Sequence, residues 1–192
     1  MPRVLNVGGG ANRTVPSIYA GWDQDLLDIN PNVKPDILCD AKELRTLNAG
    51  KYDAVFCSHN LEHFHRHEVP AVLAGFLHVL KRDGFAHIAV PDMEAVLGEL
   101  VRGNHDINDT FYHAGPHAIS FHDVIYGWGR EVASGNAFYA HKTGFTQKSM
   151  AKALGKAGFV KVLTANDGAA NIIAFAFKQK PSVDRMRRLE CL

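Results

Sequence analysis

The feature that most constrains this chain is a short apolar run that ends in three glycines. Residues 4–7 lead directly into Gly8, Gly9 and Gly10. A run of this kind is typical of a buried strand, and consecutive glycines let the main chain turn tightly and approach a ligand closely. Asp28 follows Gly8 by 20 residues, at the end of a second apolar run. This spacing predicts a nucleoside site in which the carboxylate of Asp28 binds the two ribose hydroxyls.

Apolar runs alternate with helical patterns along the rest of the chain. Strands are predicted at residues 26–29, 36–39, 53–57, 84–90, 159–163 and 171–177, and helices at 67–80, 93–101 and 146–157. Such alternation predicts an α/β fold, in which helices cover both faces of a parallel sheet. The segment after the glycines contains Pro16 and is too short and too interrupted to predict a regular helix.

Residues just after the predicted strands are the candidates for ligand contact, because ligands of open parallel sheets bind at the carboxyl ends of the strands. Besides the glycines and Asp28, these positions hold Asp40, Ser58, His59 and Asn60, and we assign Ile29 and Ala41 to the same site. We predict that the carboxylate of Asp40 either accepts a hydrogen bond from an adenine amino group or caps a helix over residues 41–44. The two roles are compatible. A dinucleotide would need a well-formed helix N-terminus for its pyrophosphate. S-adenosylmethionine has no phosphate, so the interrupted segment after the glycines favours this cofactor.

The composition argues against several classes of partner. The 192 residues carry 21 Lys and Arg against 20 Asp and Glu, and this balance argues against a nucleic-acid binder. No signal-peptide pattern opens the chain, and no apolar stretch reaches the roughly 20 residues that span a bilayer. The three cysteines, Cys39, Cys57 and Cys191, are far apart and odd in number, as expected in a reducing compartment. We therefore expect a cytoplasmic protein that binds neither nucleic acid nor membrane.

Residues 104–140 have no sustained period and are predicted to form an insertion or lid within a domain that spans residues 1–178. His117 and His141 lie among turn residues in or next to this insertion. We predict these two as catalytic residues, because a neutral histidine can remove a proton from an acceptor near pH 7. The aromatic residues of the insertion either sandwich an acceptor or keep the insertion ordered. Residues 179–192 are predicted to be a basic, solvated tail.

An alternating histidine run, His63, His65 and His67, precedes the helix predicted at residues 67–80. A zinc site needs three or four ligands that converge on the ion. The side chains of this run diverge if it begins the helix, and neither a cysteine nor a second histidine pair lies nearby in the sequence. We therefore predict no metal site.

Six segments follow one another in order between residues 4 and 159. They are VLNVGGG at residues 4–10, LLDINP at 26–31, DILCDAKEL at 36–44, YDAVFCSHNLEHF at 52–64, VLKRDGFAHIAVPD at 79–92 and HKTGFTQKSMAKALGKAGF at 141–159. Together they resemble the class I S-adenosylmethionine-dependent methyltransferases, in particular a small-molecule type with an LEH signature, here Leu61, Glu62 and His63. The resemblance implies a doubly wound, mostly parallel seven-stranded sheet, in a single domain with an insertion before the last helix and strand.

The resemblance also implies methyl transfer from S-adenosylmethionine to a small-molecule or glycan-type acceptor. It assigns Gly8 and Gly10 to the methionine end of the cofactor, Asp28 to the ribose, Asp40 and Ala41 to adenine, and Ser58 and His59 to the floor near the sulfonium. Asn6 departs from the family, which commonly has an acid there, and Asn12 stands in place of a third spaced glycine. Two alternatives therefore stay open: a catalytically silent nucleoside-binding module and an NAD(P)-dependent oxidoreductase.

Overall fold

A computed structural model describes residues 1–183 and residue 186 of the chain. Most of the tail predicted at residues 179–192, with Cys191, lies outside the described residues. The strands are β1 (Arg3–Val7), β2 (Asp23–Asp28), β3 (Ile37–Leu38), β4 (Tyr52–Ser58), β5 (Leu80–Pro91), β6 (Thr110–Ala114), β7 (His117–Ser120), β8 (Lys161–Asn166) and β9 (Asn171–Phe177). Seven of them form the central sheet, whereas β6 and β7 form a separate hairpin.

The central sheet has the strand order β3-β2-β1-β4-β5-β9-β8. Strands β1 to β5 pair in parallel, and β9 runs antiparallel to both β5 and β8. The predicted doubly wound, mostly parallel, seven-stranded sheet is thus confirmed. Chain order reverses between β1 and β4, and the carboxyl ends of these two strands flank the crevice where ligands of such sheets bind.

The helices are α1 (Val69–Val79), α2 (Met93–Arg102), α3 (Phe121–Tyr126), α4 (Gly129–Ala133) and α5 (Gln147–Ala157). Thr146 caps α5, because its side chain accepts from the amide of Ser149, and Gly158 ends the helix with φ of +110°. Helices α1 and α5 share a hydrophobic core with one face of the sheet. None of the helices in the described part of the chain has the length and apolar character needed to cross a bilayer.

The segment between β1 and β2 forms no regular α-helix, as its proline predicts. Residues 8–22, all of which the structure describes, contain one 3-10 turn, Ser17–Tyr19, which follows Pro16. Tyr19 packs from this turn onto an aromatic cluster on the other face of the sheet, and its hydroxyl lies 3.2 Å from Nδ1 of His87. Burial lowers the pKa of His87 to about 4, so this histidine is neutral at pH 7.

The segment predicted as an insertion is ordered around a small core of its own. Strands β6 and β7 pair as a hairpin and α3 follows directly. Ile119, Phe121 and Val124 of this segment pack with Val96 of α2. Ser120 caps α3 through a reciprocal capping box with Asp123, which fixes the start of that helix. The insertion is therefore held over the carboxyl end of β5 by apolar contacts with α2.

Candidate active site

Two cavities open at the carboxyl edge of the sheet, and the smaller has a volume of about 390 Å³. It lies at the carboxyl ends of β1, β2, β3 and β4, and therefore at the point where the strand order reverses. Of the residues predicted to bind the cofactor, its lining includes Gly8, Gly10, Asp28, Ile29, Asp40, Ala41 and His59. Gly9 and Ser58 are not among the described residues that line it. The structure therefore brings together seven of the nine residues predicted for the cofactor.

The glycine turn is shaped by positive φ angles that favour glycine. Gly8 has φ of +70° and Gly10 has φ of +61°. A Cβ atom on Gly8 would collide with the side chain of Asn60, whereas one on Gly10 would meet nothing within 4 Å. Gly9 lies directly against the side chain of Asn6, which is 1% exposed and has no hydrogen-bond partner among the described residues. The turn is thus packed closely on the sheet side and open toward the cavity.

Asp28 ends β2 with its carboxylate facing the glycine turn. Oδ2 accepts a hydrogen bond from the amide of Gly10 at 3.3 Å, and Oδ1 accepts one from the amide of Asn30 at 2.9 Å. These two bonds fix the orientation of the carboxylate and leave lone pairs on both oxygens. A carboxylate held in this way fits the adjacent hydroxyls of a ribose, which is the role that the sequence predicts for it.

Asp40 takes the capping role that the sequence left open. Its Oδ1 accepts from the amide of Lys42 at 3.0 Å at the start of the 3-10 segment Ala41–Thr46. The ammonium of Lys42 lies 3.4 Å from Asp40 Oδ2 and donates to Glu68 at 2.8 Å. This ammonium lowers the pKa of Glu68 to about 2. Asp40 lines the cavity while it caps, so both predicted roles are compatible with its position.

The larger cavity has a volume of about 970 Å³, at the upper end of the range typical of small-molecule sites. Its walls come from α2, the insertion and residues 166–171. Aromatic side chains are prominent in its lining: Phe111, Tyr112, Phe121, Trp128 and Tyr139. It also contains charged groups of both signs, including Glu99, Arg102 and Asp123. His59, His63 and Tyr139 line both cavities, so the two adjoin there.

The two histidines predicted as catalytic lie in different surroundings. His141 lines the larger cavity, and its side chain is 13% exposed. Burial lowers the pKa of His141, so its ring is neutral near pH 7. His117 begins β7, where its ring lies 3.1 Å from the guanidinium of Arg130 and beside Trp128. His117 is not among the described residues that line either cavity.

Glu62 is a residue of this region that the sequence did not assign to the site. Its side chain is 2% exposed, and neither carboxylate oxygen has a hydrogen-bond partner among the described residues. Oε1 lies 3.5 Å from Nδ1 of His59 and 4.0 Å from Nε2 of His141. The nearby carboxylate raises the pKa of His59. The LEH signature could have pointed to Glu62, but no sequence signal links it to His141.

The architecture of the chain is similar to that of solved methyltransferases. The fold is similar to a SAM-dependent methyltransferase from Archaeoglobus fulgidus, with 15% identity, a TM-score of 0.58, and coverage of 92% of this chain and 86% of that one. It is also similar to 1,6-didemethyltoxoflavin-N1-methyltransferase of Burkholderia thailandensis, solved with 1,6-didemethyltoxoflavin and S-adenosylhomocysteine. There the identity is 18%, the TM-score 0.56, and the coverage 93% of this chain and 72% of that one.

A sequence comparison adds a match over the first part of the chain. Residues 5–88 match the family model described as a methyltransferase domain. No curated protein matches the sequence. The matched residues 5–88 agree with the resemblance seen in the sequence, and the solved structures of similar fold include proteins described as SAM-dependent methyltransferases.

Proposed function

We propose that this protein transfers a methyl group from S-adenosylmethionine to a small-molecule acceptor that binds in the larger cavity. The observation that carries the proposal is the contact between the two cavities at His59, His63 and Tyr139. A donor in the smaller cavity and an acceptor in the larger one would meet there. When bound, the cofactor supplies an electrophilic methyl group on a sulfonium, so alignment and exclusion of water can provide much of the rate.

The residues of the smaller cavity fit a nucleoside without phosphate. Asp28 has free lone pairs for the ribose, and the open side of Gly10 leaves room for the amino-acid end of the cofactor. Residues 8–22 contain no α-helix whose N-terminus could hold a pyrophosphate, which argues against the NAD(P) alternative. We assign Gly8, Gly10, Asp28, Asp40, Ala41 and His59 to cofactor binding.

The larger cavity supports an acceptor with a planar or ring-shaped part. Its aromatic walls can pack on such a group, and Glu99, Arg102 and Asp123 can fix polar substituents. The Burkholderia enzyme, which is named for N1-methylation, was solved with the small molecule 1,6-didemethyltoxoflavin bound. A glycan-type acceptor would stack on the same aromatic residues and is a second candidate, whereas the balanced charge argues against nucleic acid.

We propose His141, and not His117, as the histidine that acts on the acceptor. His141 lines the larger cavity, and the carbonyl of Val124 lies 2.9 Å from its Nδ1. A carbonyl can only accept, so Nδ1 carries the proton and Nε2 keeps a lone pair. A cytoplasmic location fits the free cysteines Cys39 and Cys57 among the described residues.

The test is calorimetric titration with S-adenosylhomocysteine and, separately, with NAD, followed by methyl transfer from labelled S-adenosylmethionine to a panel of small ring-containing acceptors. We expect binding of S-adenosylhomocysteine alone and labelling of at least one acceptor. His141→Gln should lower the labelling rate, whereas His117→Gln should leave it within about twofold. Binding of NAD and not of S-adenosylhomocysteine would overturn the proposal. Cofactor binding without labelling of any acceptor would favour the silent module.

A further inference from the structure

Three side chains meet beside the larger cavity: Glu62, His63 and His141, which we call the Glu62 cluster. One donor atom of each lies within 4.8 Å of the donor atoms of the other two. The rings of His63 and His141 contact edge to face, with their centroids 4.9 Å apart. Glu62 and His63 are neighbours in the 3-10 turn Leu61–His63, whereas His141 returns from the insertion. The cluster therefore forms only when the whole domain is folded.

The buried carboxylate of Glu62 requires an explanation. A carboxylate that is 2% exposed, with no hydrogen bond to either oxygen from the described residues, carries a large desolvation cost unless a positive charge offsets it. His59 approaches Oε1 at 3.5 Å, but its own side chain is 52% exposed and makes one contact beyond good hydrogen-bond distance. A cation between the three side chains would supply the missing partner.

The two histidines of the cluster are held in the tautomer that a metal ligand needs. Nδ1 of His63 lies 3.1 Å from the carbonyl of Ala140, and Nδ1 of His141 lies 2.9 Å from the carbonyl of Val124. Both carbonyls can only accept, so each Nδ1 carries a proton and each Nε2 presents a lone pair. Fixing a histidine through a hydrogen bond from its other nitrogen is the usual outer-shell arrangement of protein metal sites.

Main-chain hydrogen bonds fix the relative positions of the ligands. The amides of Lys142 and Thr143 both donate to the carbonyl of Glu62, at 2.8 Å and 3.2 Å. The amide of His141 donates to the carbonyl of Tyr126 at 2.9 Å. Ligand atoms of a tetrahedral zinc site lie roughly 3.4 Å apart, and Glu62 Oε1 and His141 Nε2 are 4.0 Å apart. The donor atoms of all three side chains lie within 4.8 Å of one another, so binding of an ion would require them to move closer together.

We propose that Glu62, His63 and His141 bind a divalent transition-metal ion, with Zn²⁺ as the ion that this donor set suits best. Two imidazoles and one carboxylate are borderline ligands, whereas Mg²⁺ and Ca²⁺ prefer oxygen ligands alone. Three protein ligands leave a coordination position open, as in catalytic zinc sites. His63 and His141 both line the larger cavity, so this position faces it. If the proposed function is right, the ion would hold the oxygen or nitrogen of the acceptor next to the methyl donor, and His141 would then act on the acceptor through the ion, because its Nε2 lone pair is taken up by the metal.

A metal ion at the Glu62 cluster contradicts the absence of a metal site that was predicted from the sequence. That prediction considered the run His63, His65 and His67 as a unit. In the structure His65 and His67 stack on each other, with ring centroids 5.6 Å apart, and His67 is exposed. His63 instead contacts His141, which is far away in the sequence. The ligands therefore come from two segments, and their proximity depends on tertiary structure.

The test is direct titration of the chelator-treated full chain with Zn²⁺ by calorimetry, together with the visible absorption of the Co²⁺-loaded protein. We expect one tight equivalent of Zn²⁺ per chain and Co²⁺ bands typical of coordination by nitrogen and oxygen. Glu62→Gln and His141→Gln should each weaken Zn²⁺ binding by about 100-fold or more, because each removes one of three ligands. The double variant His65→Gln, His67→Gln is the matched control and should bind Zn²⁺ like the wild type.

Absence of a stoichiometric Zn²⁺ site in the wild type would overturn the proposal, whether or not the variants fold. Binding that survives Glu62→Gln and His141→Gln, or that the control loses, would also overturn it. Titration of each variant with S-adenosylhomocysteine shows that its fold is intact. This titration also separates the two proposals: cofactor binding without Zn²⁺ binding rejects only the metal site, whereas a bound ion with no methyl transfer rejects only the proposed function.

Discussion

The two cavities share His59, His63 and Tyr139, yet they are built in different ways. The smaller cavity is made largely of residues that directly follow strands, held by short-range bonds such as those of Asp28 to nearby amides. The larger cavity is made of α2, the insertion and residues 166–171, which are distant in the sequence and meet only through packing. If the donor binds in the smaller cavity and the acceptor in the larger one, as proposed, binding of the donor depends on local turn geometry, whereas chemistry at the acceptor depends on the folded insertion.

The largest effect that this comparison predicts is on the insertion. Phe121 is 1% exposed and packs with Val96, Ile119 and Val124, so Phe121→Ala should lower the free energy of unfolding by about 3–5 kcal/mol. Denaturant unfolding measures this loss. Tyr126→Ala, at a 56% exposed aromatic of the same helix, is the control, with an expected loss below about 1 kcal/mol.

Phe121→Ala also tests whether the two cavities depend on different parts of the fold. If the smaller cavity depends on local turns alone, Phe121→Ala should leave the affinity for S-adenosylhomocysteine within about twofold under native conditions, although it should impair acceptor methylation. A parallel loss of cofactor affinity would contradict the division between the two cavities.

An intermediate effect is expected at the smaller cavity. Asp28→Ala removes the carboxylate that we assign to the ribose and should weaken S-adenosylhomocysteine binding by about 10- to 100-fold, the range for hydrogen bonds to a charged group. Asp23→Ala is the matched control, since Asp23 begins the same strand and forms a half-exposed ion pair with Arg3. It should change the affinity by less than about twofold. Equal effects of the two variants would remove Asp28 from the site.

The smallest effect concerns two neighbouring glycines. Gly8→Ala and Gly10→Ala both place a Cβ at positive φ, which costs about 1 kcal/mol, but only the first adds a collision with Asn60. We expect Gly8→Ala to be the more destabilising by about 1–2 kcal/mol in denaturant unfolding. Equal losses would show that Asn60 moves aside easily and that the turn is less tightly packed than its geometry indicates.

The alternation of strands and helices and most of the smaller cavity could be predicted because each relevant signal is local. A glycine run after an apolar stretch, an acid 20 residues later and an interrupted helix are all visible in a short window. The interruption by Pro16 is a clear example, since the structure has a 3-10 turn there. Gly9 and Ser58 show the limit of this reasoning: both lie beside cavity-lining residues, but the turns leave them out of the lining.

The Glu62 cluster could not be predicted in the same way. Glu62 and His63 are adjacent, but the approach of His141 depends on how the insertion folds back, which no periodicity encodes. The different positions of His141 and His117 could not be predicted for the same reason, because they depend on tertiary structure. Both stand among turn residues in the sequence, and only the packing of α3 and the hairpin places one at the cavity and the other beside Arg130.

The hydrogen bonds from Lys142 and Thr143 to the carbonyl of Glu62 have a consequence for how the insertion opens. The chain leaves the insertion through these residues, so local unfolding of this exit must break contacts with the turn that carries Glu62. Opening of the exit and occupancy of the cluster are thus thermodynamically linked. If the cluster binds an ion, we expect the deuterium exchange of the amides of Lys142 and Thr143 to slow as a ligand of the cluster or of the larger cavity saturates the protein.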